Sequence, residues 1–261
     1  MGLLTGKNAL VFGLANDHSL AWGVVQALTA EGATLGIFHG PRSGVRRVRP
    51  LAEQVGAKLV MGCDVEDDAQ IAAAAARAGE VFGQIDVLVH SIAYADREEL
   101  QRPYVQTSRA GFARALMVSC YSFTALTQAL LPWLRVGASL MTMSAEASQR
   151  VVPGYNVMGL AKAALEASVR YLAYDLGAQG IRVNAISAGP IRTLAARGVP
   201  SFGKLYPGFA AAAPLRRNIS IADVGGAAVW LASDYAKNVT GQVLQVDAGY
   251  SIMGVGGESA A

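Results

Sequence analysis

Cysteine is almost absent from the sequence, and charged residues are scarce. Cys63 and Cys120 are the only two thiols in 261 residues, and neither has a second Cys or a His at a metal-site spacing. This argues against a disulfide framework and a zinc site, and we expect two reduced, buried thiols. Only 16% of the residues are charged and 52% are hydrophobic, which argues against a disordered or fibrous chain. The length suits one α/β domain, 1–261.

The sequence also lacks long basic tracts and long apolar runs. Its formal charge is +3, and the basic residues gather locally, as in segment 42–49. We therefore expect no nucleic-acid partner, although a local basic cluster suits a small anion. The N-terminus has no basic start followed by a long apolar run, and no span free of charges and glycines reaches transmembrane length. A cytoplasmic protein without a membrane partner is the expectation.

Short buried apolar runs alternate with helical patterns along the whole chain. Repeated strand-helix units with non-alternating strands predict a parallel, doubly wound α/β sheet of the Rossmann type, about seven strands with helices on both faces. Ligands bind such sheets at the carboxyl ends of the strands. The predicted strands cover residues 8–13, 34–38, 58–61, 86–89, 138–143, 181–186 and 242–246.

The first strand-helix turn is a candidate phosphate site. It runs from Gly13 to Ser19, with Ser19 and Leu20 opening the predicted helix. Free backbone N–H groups and the positive end of the helix dipole favour a pyrophosphate there. The turn lacks the common Gly-x-Gly-x-x-Gly pattern, so a plain strand-helix connection is the alternative.

The second and third strand ends bear on a nucleotide cofactor. An acid after the second strand favours NAD, whereas a nearby Arg accepts the phosphate of NADP. Segment 39–42 reads His-Gly-Pro-Arg without an acid, so Arg42 with Arg46 and Arg47 favours NADPH over NADH, with a solvated basic turn as the alternative. Asp64 closes the third strand, where it accepts a hydrogen bond from adenine or caps the following helix.

Tyr155 and Lys162 belong to a stretch that runs into an apolar helical pattern over residues 163–176. Seven steps of 100° come to about 700°, roughly 20° short of two turns, so a helix would carry both on one face. An ordinary amphipathic helix is the alternative. Two further segments stand out: an apolar helix over 110–131, covered by the sheet and by another subunit, and an Ala-, Gly- and Pro-rich lid over 194–217.

The spacing of six residues between Tyr155 and Lys162, followed by RVNAISAGPIRT at 182–193, resembles the NAD(P)H-dependent enoyl-acyl carrier protein reductases. These are divergent members of the short-chain dehydrogenase/reductase superfamily. Ordinary members place the Lys four residues after the Tyr, where this chain has Gly159. The resemblance continues through Gly13 and segments 19–21, 64–65, 90–93 and 246–250, and so covers nearly the whole chain.

The resemblance implies a reaction of bacterial fatty-acid synthesis. Hydride adds to the β-carbon of a trans-2-enoyl thioester, carried by acyl carrier protein or coenzyme A, and an enolate forms before the α-carbon is protonated. Tyr155 would hydrogen-bond the enolate oxygen, and Lys162 would hold the nicotinamide ribose. A homotetramer is also implied.

Further site residues follow from the same resemblance. Residues implied for NAD(P)H binding, besides Lys162 and Arg42, are Gly13, Ser19, Leu20, Asp64, Val65, Ser91, Ile92, Ala93, Ile191 and Thr193. Residues implied for the acyl substrate are Ala95, Ala145, Met158 and Phe202.

One position departs from the family pattern. The family usually has a second active-site tyrosine ten residues before the motif tyrosine, and this chain has Ala145 there, followed by Glu146. A methyl group in place of a phenol opens the substrate pocket and removes a polar contact. The departure leaves two alternatives open: a carbonyl or imine reductase of specialised metabolism, and a nucleotide-binding scaffold without catalysis.

Overall fold

Seven parallel strands lie side by side in the order β3-β2-β1-β4-β5-β6-β7. The computed structural model describes residues 2–200 and 202–254. The parallel arrangement of the strands confirms the predicted doubly wound sheet. The strand order reverses at β1 and β4, where such sheets bind ligands. The strands are β1 Asn8–Phe12, β2 Thr34–His39, β3 Leu59–Gly62, β4 Ile85–His90, β5 Leu134–Ser144, β6 Arg182–Ala188 and β7 Val243–Val246.

Helices cover both faces of the sheet because the inner strands are apolar on both sides. Val11 of β1 packs into one core with helices α1 and α10, while its neighbour Leu10 packs into the other with α3, α6 and α7. The helices are α1 Leu20–Ala30, α2 Val45–Gln54, α3 Asp68–Phe82, α4 Arg97–Gln101, α5 Arg109–Leu116, α6 Ser122–Leu130, α7 Val157–Gly177, α8 Leu194–Arg197, α9 Phe202–Ala212 and α10 Ile221–Ala232.

The single helix predicted over 110–131 is divided. A π-helical segment, Met117–Tyr121, separates α5 from α6, and Pro132 lies in a short 3-10 turn after α6. The combined run 109–133 has the length and apolarity of a membrane span, contrary to the prediction, but half of its most apolar window is buried within the fold. Its inner side packs against α3 and α7, as expected of a core helix.

Two connecting segments contain short helices. Segment 94–107 holds α4 and a 3-10 turn, Tyr104–Gln106. The predicted lid, 194–217, contains α8 and α9. Helix α9 is fixed at its end by Phe209, whose ring lies 4.4 Å from that of Tyr250. Aromatic packing therefore orders a sequence whose glycines and prolines had indicated a loop.

Candidate active site

One cavity of about 580 Å³ opens at the carboxyl ends of the strands, beneath α8 and α9. Its size is within the range of cofactor and substrate sites. Every residue that the sequence indicated for catalysis, cofactor or substrate lines it: Gly13, Ser19, Leu20, Arg42, Asp64, Val65, Ser91, Ile92, Ala93, Ala95, Ala145, Tyr155, Met158, Lys162, Ile191, Thr193 and Phe202.

The spacing between Tyr155 and Lys162 had predicted that one helix carries both residues. In the structure Tyr155 lies before that helix. Helix α7 begins at Val157, and the preceding Asn156 has a φ of +43°. The Asn156 side-chain amide donates to the carbonyl oxygens of Arg102 (2.8 Å) and Leu100 (3.2 Å), which holds this unusual conformation. Tyr155 therefore enters the cavity from a fixed turn.

The Tyr155 hydroxyl is a neutral hydrogen-bond donor at physiological pH. Burial raises the pKa of Tyr155 to about 12, because a phenolate would be poorly solvated in the cavity. A protonated phenol can donate to an oxygen that gains negative charge during a reaction. This is the chemistry required of an enolate stabiliser.

Lys162 lies on α7 and is almost fully buried, with 4% of its surface exposed. Its Nζ donates to the Met143 carbonyl oxygen at 2.7 Å, at the end of β5. Burial lowers the pKa of Lys162 to about 8, and the neighbouring Cys120 and Glu166 oppose that shift. Lys162 is therefore mostly an ammonium at neutral pH, with a shifted pKa of the kind found at functional sites.

Glu166 joins α7 to the turn after β5. It is buried, and its Oε1 accepts hydrogen bonds from Ser144 (2.5 Å) and Ser148 (2.6 Å). It lies four residues after Lys162, on the same face of α7. The carboxylate therefore fixes the turn that carries Ala145 and supplies a negative charge near Lys162.

The turn after β1 has the geometry of a phosphate site. Gly13 has a φ of +102°, and a Cβ there would lie 2.1 Å from the Ser91 carbonyl oxygen. Ser19 precedes α1, but its hydroxyl donates to the Asn16 carbonyl (2.6 Å) and does not cap the helix. The first amides of α1 are thus without a side-chain cap and can bind an anion. The residues present fit a dinucleotide cofactor.

Asp64 lines the cavity and is not the cap of α3. Asp67 caps α3, because its carboxylate accepts hydrogen bonds from the backbone of Ala69 and Gln70. Asp64 instead accepts from the Glu66 amide at 3.1 Å in the turn after β3. The capping alternative for Asp64 was therefore wrong, and Asp64 lines the cavity.

Arg42 lies against an aromatic ring that sequence reasoning missed. Its guanidinium carbon is 3.5 Å from the centre of the Tyr94 ring, and that of Arg114 is 4.7 Å away. The Tyr94 hydroxyl donates to Asp96 at 2.6 Å. Both Arg42 and Tyr94 line the cavity, so this stack forms one of its walls.

The wall beside Ala145 carries a carboxylate. Glu146 lines the cavity, and its carboxylate receives Arg150 Nη1 at 3.3 Å. Burial raises the pKa of Glu146, Arg150 lowers it and Asp247 raises it again. Arg150 also donates to the Met253 carbonyl at 2.9 Å. The pocket therefore has a small apolar surface at Ala145 and a polar group beside it.

His90 is another residue whose environment could not be read from the sequence. It is fully buried, with Nδ1 2.7 Å from the Thr142 hydroxyl and Nε2 2.8 Å from that of Ser122. Burial, aided by the charge of Lys162, lowers the pKa of His90 to about 3. His90 is therefore neutral and links β4, β5 and α6 behind the cavity. The available signal was a histidine that directly follows a buried apolar strand.

The thiols differ from expectation in one respect. Both are free, and Cys63 is buried, but Cys120 is only half-buried. Burial is the largest cause that raises the pKa of each thiol. Neither is therefore a reactive thiolate at neutral pH.

The geometry of the cavity agrees with comparisons to known proteins. Residues 13–251 match the model of a family described as enoyl-(acyl carrier protein) reductase. The chain belongs to this family. The family reaction is the nicotinamide-dependent reduction of enoyl thioesters in fatty-acid synthesis, and the chain is an enzyme of this class.

Individual relatives are similar over almost their whole length. The enoyl-acyl-carrier-protein reductase (NADH) FabI of Nostoc sp. is 49% identical, over 97% of this chain and 99% of the relative. The crystal structure of the Aquifex aeolicus enzyme (NADH) has a TM-score of 0.94 and 46% identity, and covers 97% of this chain and 100% of its own. A Bacillus cereus structure with NADP⁺ and an indole naphthyridinone has a TM-score of 0.95 and 44% identity, and covers 98% and 100%.

Proposed function

We propose that this enoyl-acyl carrier protein reductase reduces the trans-2 double bond of an enoyl thioester on acyl carrier protein, with Tyr155 and Lys162 as its catalytic pair. The observation that carries the proposal is the placement of a neutral phenol and a buried ammonium in one cavity with a phosphate-binding turn. When bound, the reduced nicotinamide supplies the hydride.

Tyr155 would donate a hydrogen bond to the thioester carbonyl oxygen. Because its hydroxyl is protonated throughout the neutral range, it meets the negative charge that develops on this oxygen with a proton already in place. Lys162 would bind the ribose hydroxyls and add a positive charge close to the phenol. Its ammonium is held in place by the hydrogen bond from Nζ to the Met143 carbonyl oxygen, so it would need to move little when the cofactor binds.

The cofactor would lie along the strand ends. Its pyrophosphate would meet Gly13, Ser19 and Leu20, where the α1 amides are uncapped. Asp64 and Val65 would contact the adenine. The remaining contacts would come from the ends of β4 and β6: Ser91, Ile92, Ala93, Ile191 and Thr193.

The choice between NADH and NADPH depends on Arg42 in this proposal. The named relatives from Nostoc and Aquifex are NADH enzymes, whereas the Bacillus cereus structure holds NADP⁺. Here no acid follows β2, and the guanidinium of Arg42 lines the cavity. We infer use of either cofactor with a preference for NADPH, because the 2′-phosphate would gain a charge-assisted hydrogen bond from Arg42.

The acyl group would lie against Ala95, Ala145, Met158 and Phe202. A methyl side chain at position 145 leaves room beside Tyr155 that a tyrosine would fill. The enzyme would therefore accept bulkier acyl groups than a relative with the second tyrosine. Ala145→Tyr would narrow this range and leave short chains such as crotonyl thioesters as substrates.

Initial rates with NADH and NADPH across a series of enoyl-acyl carrier protein substrates test the proposal. Wild type is expected to turn over, and Tyr155→Phe to lose about two to three powers of ten in kcat. Tyr235→Phe, at an exposed tyrosine outside the cavity, is the matched control. Absence of turnover with either cofactor, or a Tyr155→Phe variant equal to wild type, refutes the assignment.

A carbonyl or imine reductase is the second candidate, favoured by Ala145 alone. It predicts faster turnover of ketones or imines than of enoyl thioesters in the same assay. A scaffold without catalysis predicts cofactor binding without oxidation of NADPH by any substrate. Both are excluded by enoyl turnover that depends on Tyr155.

The proposal also covers the oligomeric state of the enzyme and its cellular compartment. Helices α5 and α7 and the π-helical segment between α5 and α6 expose several large apolar side chains, which a homotetramer would cover. Sedimentation is expected to give a tetramer, in a cytoplasmic enzyme, and a stable monomer would contradict it. The exposed apolar residues are Phe112, Met117, Tyr121, Leu160, Tyr171 and Tyr174.

A further inference from the structure

The stack of Arg42 on Tyr94 is the feature of the cavity that the reaction leaves unexplained. Arg42 follows β2 and Tyr94 follows β4, so the contact crosses from one strand-end loop to another. At 3.5 Å from the ring centre, the guanidinium lies against the face of the phenol. We propose that Tyr94 is a positioning residue that holds Arg42 ready for the 2′-phosphate of NADPH.

Arg42 is free to bind an anion while it is stacked. A guanidinium that lies on a ring uses its π-face, and its N–H groups, which lie in its plane, remain available as donors. Within residues 2–200 and 202–254, Arg42 has no ion pair and no side-chain hydrogen bond. Its charge is therefore uncompensated at a cavity wall, as expected of a group whose partner is a bound anion.

Arg114 differs from Arg42 although it contacts the same ring. It makes two hydrogen bonds to Glu66, at 2.9 and 3.0 Å, and an ion pair with Asp96 at 3.3 Å. Its charge is thus balanced by two carboxylates within the protein. Arg114 serves to hold Tyr94 and the loops after β3 and β4, and Arg42 is left as the cation that faces the ligand.

The Tyr94 hydroxyl strengthens this arrangement. It donates to Asp96 Oδ1 at 2.6 Å, and this hydrogen bond is the largest cause that raises the pKa of Tyr94. Donation to a carboxylate increases the electron density of the ring, which favours a cation over its face. The backbone of Tyr94 is fixed as well, because its N–H and carbonyl both bond to the Ser119 hydroxyl, at 2.9 and 3.0 Å.

The position of the stack matches the group that distinguishes the two cofactors. Asp64 and Val65, on the next strand end, line the same cavity, and the proposed function places the adenine against them. The end of β2 is where a doubly wound sheet meets the adenosine ribose. The inference rests on the proposed use of NADPH and assigns a residue remote from the hydride chemistry to the choice of cofactor.

Binding of two adenosine fragments to the whole protein separates this role from catalysis. The probes are adenosine 2′,5′-bisphosphate and 5′-AMP, which differ only in the 2′-phosphate, and calorimetry measures their Kd values. Wild type is expected to bind the bisphosphate more tightly, with an advantage that falls as salt rises. Arg42→Ala is expected to abolish the advantage, and Arg47→Ala, at an exposed arginine outside the cavity, to keep most of it.

Three Tyr94 variants test the positioning role. Tyr94→Leu removes the ring and is expected to weaken bisphosphate binding by about two- to five-fold, the equivalent of a solvent-exposed cation–π contact. Tyr94→Phe keeps the ring and should retain most of the affinity. Tyr94→Trp should retain all of it. The Kd of 5′-AMP is expected to stay unchanged in each, which a general loss of structure would not allow.

The outcomes distinguish the proposed cofactor preference, which depends on Arg42, from the proposed positioning role of Tyr94. If Arg42→Ala leaves the bisphosphate advantage intact, the proposed cofactor preference fails, and the positioning role fails with it. If Arg42→Ala abolishes the advantage and Tyr94→Leu does not reduce it, only the role of Tyr94 is overturned. Tighter bisphosphate binding by Tyr94→Leu would also overturn it, because the ring would then be sequestering Arg42.

Discussion

The alkaline limit of the reaction should be set by Lys162. Its ordinary pKa of 10.5 is lowered to about 8, a change equivalent to about 3 kcal/mol. Lys162 is therefore about nine-tenths charged at pH 7 and about one-tenth charged at pH 9. If the ammonium is the active form, log kcat/KM for the cofactor should be flat near pH 7 and fall with a slope of −1 above pH 8.

The ionisable groups around Lys162 differ in whether they are charged at neutral pH, and only a charged neighbour affects the pKa of Lys162 by attraction or repulsion. His90 on β4 is neutral above pH 4, since burial lowers its pKa to about 3. Tyr155 is protonated below pH 11, since burial raises its pKa to about 12. Cys120, in the π-helical segment, has a pKa raised by burial and is a thiol at neutral pH. Glu166 on α7 is the carboxylate that raises the pKa of Lys162.

Glu166→Gln is therefore expected to move the alkaline limb to lower pH by about one unit, the lower range for loss of a nearby opposite charge. The measurement is the pH profile of kcat/KM from 6 to 10. Ser148→Ala is the matched control, because it removes one hydrogen bond to Glu166 and no charge. Lys162→Arg should lose the limb altogether, because a guanidinium does not titrate in this range. A limb that stays near pH 8 in Lys162→Arg would refute the assignment of this pKa.

Three further predictions concern stability and the cofactor turn. The pKa of Lys162 is lowered on folding, so the unfolded chain binds more protons than the folded one between pH 8 and 10.5. The apoenzyme should therefore gain up to about 3 kcal/mol in its free energy of unfolding as the pH rises through that window. The Lys162→Met variant should lack this rise in denaturation experiments. Asp67→Ala should lower the free energy of unfolding by about 1 kcal/mol through loss of the α3 cap, as measured in urea. Gly13→Ala should weaken 5′-AMP binding, because its Cβ would lie 2.1 Å from the Ser91 carbonyl oxygen; an unchanged Kd would contradict the proposed phosphate turn.

The sheet could be predicted because its strands carry the same signal locally and globally. Leu10 and Val11 are both buried, one on each face, so β1 is apolar without alternation. The predicted and observed ends of the strands differ by a few residues, since hydrogen bonding and not hydropathy sets the ends. The residues at those ends then converge by topology, which is why the predicted site residues that follow the strands line one cavity.

The side-chain environment of the site could not be predicted in the same way, because long-range contacts determine it. Asn156 adopts a positive φ through hydrogen bonds to carbonyls of Leu100 and Arg102, more than 50 positions earlier. The helical periodicity before α7 contains no trace of those carbonyls. Tyr94 was equally hidden, because its meaning depends on Arg42 and Arg114 from two other loops.

The frame around position 145 is independent of the side chain found there. Glu166 holds the flanking Ser144 and Ser148, and Lys162 bonds to the backbone of Met143. These bonds come from α7, so Lys162 and the turn are fixed to each other without a contribution from Ala145. Loss of a tyrosine at this position therefore changes the shape of the pocket and leaves the Lys162 site intact. For this reason Ala145 argues for a change in acyl specificity and not for a loss of the reaction.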